Sequence, residues 1–115
     1  MNKELFILIL TVALAAVPPA SAEMRVSAAD AMRAAIEKPH PEYTPMAKQL
    51  RISGDVVVEA LVNEKGTVDE VKVVSGNAML TQIVVTAVKK WKFNPFQENG
   101  APTKAVATLK FSFSL

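Results

Sequence analysis

GDVVVEALVNEKGTVDEVKVVSG, residues 54–76, decides the fold. Val56, Val58, Ala60 and Val62 fall on one side of an extended chain, and Val57, Glu59, Leu61 and Asn63 on the other. That period of two is what a strand with one buried face requires. Asn63-Glu64-Lys65-Gly66 then supplies turn chemistry, with Gly where a positive φ is needed. A second strand, Val68 to Val74, returns antiparallel and stops at Ser75-Gly76-Asn77. The segment is a β-hairpin.

Downstream, the period changes from two to that of a helix. Leu80, Val84, Ala87, Val88 and Trp91 make one apolar stripe, with Asn77 as the N-cap and Pro95 as the stop. Ile83 and Val85 lie off that stripe, so part of the opposite face is also apolar. The chain ends in a third strand. Ala105, Ala107, Leu109, Phe111, Phe113 and Leu115 share one side, while Lys104, Val106, Thr108, Lys110, Ser112 and Ser114 share a mostly polar one. One buried and one wet face is the signature of an open antiparallel sheet covered by helices on a single side.

Upstream, Thr44-Pro45 is a helix start, Thr as cap and Pro in the first turn, from which Met46, Ala47 and Leu50 can reach a core. Before it, Pro39 and Pro41 force an extended connector through His40-Pro41-Glu42-Tyr43. Earlier still, Ser27 and Asp30 resemble a capping box, and Ala28, Met32, Ala35 and Ile36 follow on one helical face. The expected fold class is α+β: a three-stranded antiparallel sheet with two main helices on one face, in the order α-β-β-α-β, preceded by an N-terminal helix.

Residues 1–22 read differently. A short charged start, an apolar run from Leu5 to Val17 and the ending Ala20-Ser21-Ala22 match a secretory signal peptide cleaved after Ala22. The run is shorter than the roughly 20 apolar residues of a membrane-crossing helix. Retention as an uncleaved inner-membrane anchor is the alternative. The expected organisation is therefore a signal peptide at 1–22, a helical extension at 23–39 and one domain at 40–115, with no transmembrane helix in the mature chain.

Composition narrows the chemistry. The 115 residues allow one small core, and a formal charge of +2 gives no electrostatic case for nucleic acid or a lipid surface. No Cys is present, and His40 is the one histidine, so thiolate sites, Cys nucleophiles and multi-histidine metal centres have no donors. Asp69 and Glu70 are adjacent on a strand and point to opposite faces, so they cannot share a proton or a metal ion. Lys89-Lys90-Trp91-Lys92 mixes basic residues with an aromatic, but Trp91 completes the apolar stripe and belongs to the core. The sequence offers no catalytic constellation, no metal site, no cofactor loop and no nucleic-acid partner; the expectation is a non-enzyme.

These elements, in this order, resemble the TonB C-terminal domain. Tyr43, Ala47, Leu50, Arg51, Ile52, Gly54 and Val56 are similar to that family's opening motif. The Gly66-Thr67-Val68-Asp69 turn, Lys89-Lys90-Trp91-Lys92-Phe93-Asn94-Pro95 and the phenylalanine-rich last strand continue the match over about residues 40–115. The resemblance implies a periplasmic binding module whose last strand, residues 105–113, is an exposed edge that pairs with an extended segment, the TonB box, of an outer-membrane transporter or another envelope protein. Val106, Thr108, Leu109, Lys110 and Ser112 on that strand are the implied partner-binding residues. His40, Pro41, Glu42 and Tyr43 in the connector are the second contact. A membrane-anchored energy transducer, and an envelope protein that self-associates as a homodimer through its last strand, are the alternatives.

Overall fold

The computed structural model describes residues 24–115; the reading of residues 1–22 as a signal peptide lies outside the described residues. The chain runs β1 (Met24–Val26), α1 (Ala28–Ala34), β2 (Ala35–Glu37), α2 (Pro45–Gln49), β3 (Gly54–Val62) and β4 (Val68–Ser75). It continues through α3 (Ala78–Val88), β5 (Lys92–Phe93), β6 (Gln97–Glu98), β7 (Ala101–Pro102) and β8 (Ala105–Phe113). The main sheet has the order β1-β8-β3-β4. Its antiparallel centre, β8-β3-β4, is the three-stranded sheet expected from the alternation, and β1 adds a parallel fourth strand.

The hairpin forms because its turn is satisfied locally. Asn63 Oδ1 accepts from the Lys65 and Thr67 backbone N–H groups, at 2.9 and 3.2 Å, while its amide donates to Thr67 Oγ1 and Asp69 Oδ1. Gly66 sits at φ +89°, and a Cβ there would lie 2.0 Å from the Phe93 carbonyl oxygen. The Phe93 amide closes the same contact by donating to Gly66 O at 2.8 Å. Only glycine fits this approach.

One face of the sheet carries the core. Val56, Val58, Ala60 and Val62 of β3 lie opposite Phe111, Leu109, Ala107 and Ala105 of β8. On them pack Leu80, Val84 and Val88 of α3, Ala31 of α1, Ala47 of α2, and Trp91, Phe93 and Phe96. The caps read from sequence are in place: Ser27, Thr44 and Asn77 accept from the backbone N–H groups of Asp30, Ala47 and Met79.

Three features of the helices differ from the sequence reading. α1 ends at Ala34, because Ala35–Glu37 pairs with Lys92–Phe93 and Ala34 O accepts from Asn94 N at 2.8 Å. Ala31 is therefore the buried anchor, and Met32 and Ile36 are exposed. In α2 only Ala47 reaches the core; Met46 and Leu50 face outward, since a five-residue helix presents little more than one turn to its neighbours. α3 stops at Val88, well before Pro95, and Trp91 reaches the core from the turn after the helix rather than from the helix itself.

Candidate functional site

β8 was expected to be a free edge along residues 105–113. Its first third is not free: Ala105, Val106 and Ala107 pair with Met24, Arg25 and Val26. Val106 is thus flanked on both sides, by Arg25 and by Leu61, and is buried. The reason is local to β1. Arg25 lies beside Val106 and its side chain reaches Glu59 on the helix-free side of the sheet, with Nη1 3.1 Å from Oε2.

From Thr108 to Phe113 the situation changes. These residues pair with β3, and among the described residues no strand pairs with their other side. The β3–β8 register runs without interruption from Gly54–Phe113 to Val62–Ala105. β4, the sheet's opposite edge, is built otherwise: two register shifts against β3 leave Asp69 and Val74 outside the ladder, and Glu70 and Lys72 add charge. Bulges and charged side chains are how natural sheets blunt an edge against pairing, and β4 has both. The open part of β8 has no bulge and one lysine, Lys110, whose Nζ lies 3.7 Å from Asp55 Oδ2.

The expected connector residues are brought to this open stretch. His40, Pro41 and Tyr43 line a cleft of about 280 Å³ with Phe111, Ser112 and Phe113. The connector is held at both ends by side-chain donors. Trp91 Nε1 donates to Pro39 O at 3.0 Å, and the Tyr43 hydroxyl donates to Ile52 O. Trp91 also meets Phe111 edge-on at 5.7 Å, and Tyr43 meets Phe113 edge-on at 5.3 Å. Two aromatic side chains thus tie connector and strand into one surface. A linker otherwise costly to order is fixed before any partner arrives.

The remaining candidates are distributed around it. Ser112 Oγ donates to Asp55 Oδ1 at 2.8 Å on the helix-free face, which Thr108 and Lys110 share. Leu109 is buried against the helices, so only its backbone is available to a partner. Glu42 lines the neighbouring groove of about 680 Å³ between the connector and α3, which shares His40 with the cleft and also holds Met46, Ile83 and Lys90. Phe111 and Phe113 stand at the rim of the core, Phe113 buried and Phe111 partly buried against it, and both also line the cleft. Among the described residues no group of three His, Asp or Glu side chains is placed to hold a metal ion, and no helix is long and apolar enough to cross a membrane.

The family model described as Gram-negative bacterial TonB protein C-terminal matches residues 39–115. The chain belongs to this family. Its fold is that of the solution NMR structure of the Pseudomonas aeruginosa TonB C-terminal domain, with a TM-score of 0.60 and 28% sequence identity over 70% of this chain and 84% of that one. No curated protein matches the sequence. A TonB C-terminal domain is a protein-interacting module of the cell envelope, and the α+β order of this chain is the family's.

Proposed function

We propose that this protein is an exported, periplasmic TonB-type module that binds an extended segment of an outer-membrane transporter, or of another envelope protein, by strand addition to residues 108–113 of β8. In strand addition, backbone N–H and C=O groups on an open edge give affinity, and pockets for alternate side chains give selectivity. The observation that carries this reading is the cleft in which His40, Pro41 and Tyr43 stand beside the unpaired side of Phe111–Phe113. The contrast with the bulged, charged β4 edge supports it. His40, Pro41 and Tyr43 act as the lateral wall, Thr108, Lys110 and Ser112 as the polar side of the edge, and Leu109 through its main chain.

The test is a titration of isotope-labelled protein with a synthetic peptide carrying the TonB box of an outer-membrane transporter from the same cell. Amide shifts concentrated in residues 108–113 and 40–43 are expected. Shifts confined to β4, or none at millimolar peptide, refute the edge assignment. The apolar run Leu5–Val17 keeps one second reading, a membrane-anchored transducer with the same docking edge. Mass spectrometry of the protein from cells separates the two, since an N-terminus at Glu23 excludes the anchor.

A further inference from the structure

β1 occupies one third of the edge to which a partner would add. We propose that it is a resident competitor: a short strand that fills residues 105–107 of β8 in cis and must leave before a partner can pair along the whole of β8. The proposal rests on strand addition to β8 and adds to it a gate and a ligand preference.

Each hold on β1 is weak or separable. It is three residues long and pairs in parallel, the less stable arrangement per residue. Val26 is buried and Met24 is partly buried against the core, while Arg25 is exposed. The Arg25–Glu59 pair joins a side chain 71% exposed to one 27% exposed, and such surface pairs contribute little. A shallow groove of about 480 Å³, lined in part by all three β1 residues together with Arg33 and Phe96, runs beside the strand.

The helix after β1 is anchored independently of it. Ser27 O accepts from Ala31 N at 2.9 Å, Ser27 Oγ accepts from Asp30 N at 3.2 Å, and Ala31 is wholly buried. The backbone at Ser27 is already extended, at φ −69° and ψ 163°. The strand can therefore swing away ahead of Ser27 while α1 and its cap stay seated. Local opening of this kind draws on elements with few buried contacts.

The register also states what a displacing segment should look like. Met24 and Val26 lie beside Ala105 and Ala107 on the core side, and Arg25 lies beside Val106 on the side where Glu59 waits. A partner that replaces β1 has apolar residues at alternate positions and, between two of them, a basic side chain that can take Arg25's place at Glu59.

The first experiment needs no partner. Hydrogen exchange on the intact protein should show the β1 amides and the outward-facing amides of residues 105–107 opening together, about 100-fold more often than Val58 and Ala60. Exchange of both groups only with global unfolding overturns the proposal. The second uses the TonB-box peptide as probe. The chain has no cysteine, so Arg25→Cys with Val106→Cys creates a single pair across adjacent strands about 4.8 Å apart, within disulfide reach. Oxidation should weaken peptide binding about tenfold and reduction restore it, whereas Val26→Lys, which loosens β1, should strengthen it. Equal affinity in the oxidised and reduced forms overturns the gate. Binding by none of the forms, with the exchange result as expected, counts against the strand-addition reading and leaves the opening of β1 established.

Discussion

Replacing Trp91 by Phe isolates the bond that ties the connector to the fold. Trp91 is buried; it rests edge-on against Phe111 at 5.7 Å and tilted against Phe93 at 6.0 Å, and its Nε1 reaches Pro39 O at 3.0 Å. Phe keeps an aromatic ring in place but has no donor. A hydrogen bond of this kind contributes about 0.5–1.5 kcal/mol. Loss of the second ring's packing adds about 1 kcal/mol, since removing the whole side chain in Trp91→Ala should cost roughly 3–5 kcal/mol. The expected loss for Trp91→Phe is about 2 kcal/mol, or roughly 8–16 °C in Tm for a domain of this size. Urea titration followed by far-UV circular dichroism measures it, because the substitution removes the chain's one tryptophan fluorophore. Val84→Ala, at a buried site on α3, serves as a destabilised control. Affinity for the TonB-box peptide should fall further in Trp91→Phe than in the control, since only the former frees the connector. A stability within about 0.5 kcal/mol of the parent would show that Nε1 does not hold the connector, and that the wall of the cleft is not preformed by it.

Three further outcomes are expected. Gly66→Ala forces a Cβ to within 2.0 Å of Phe93 O at a positive φ, and should cost more than about 3 kcal/mol by thermal melt; a Tm unchanged within error contradicts the close approach. Tyr43→Phe removes the donor to Ile52 O but keeps the edge contact with Phe113, so denaturation should show a loss of about 1 kcal/mol with peptide affinity reduced in parallel. Proline at Thr108 and at Leu109 tests the edge itself. Successive N–H groups of a strand point to opposite neighbours, so one substitution breaks the β3 ladder and the other removes a donor from the open side. The variant that retains a cooperative transition should no longer bind the peptide in a calorimetric titration, and parent-like binding by both would exclude this edge.

Much of the fold follows from local patterns. The alternation in 54–62 and 105–113, the Asn63–Gly66 turn and the caps at Ser27, Thr44 and Asn77 are each read within a few residues, and each is realised. Asn99-Gly100 is a further signal of this local kind. Both residues are at positive φ and join β6 to β7 as a two-residue hairpin loop, the pair of residues such a loop favours. The errors occur where a distant segment outbids a local preference. Ala35 and Ile36 continue a helical pattern, yet Lys92–Phe93 offers them a ladder and they take it. Met46 and Leu50 have the spacing of core residues but, among the described residues, no neighbour that covers them.

The sequence by itself determined which residues alternate, where helices begin, that Gly66 falls where the turn needs a positive φ, and that no cysteine or histidine cluster exists to do chemistry. These are properties of near neighbours and of composition, and no partner segment is needed to state them. Only the tertiary structure decided which edge of the sheet stays open. Met24–Val26 is too short to show a period, and its place beside Ala105–Ala107 depends on a segment some eighty residues away. The availability of a strand's backbone is a fact about its neighbours, and those are chosen when the sheet assembles. The same holds for the cleft, where Trp91 and Tyr43 lend donors to carbonyls at Pro39 and Ile52, a pairing that no spacing rule links.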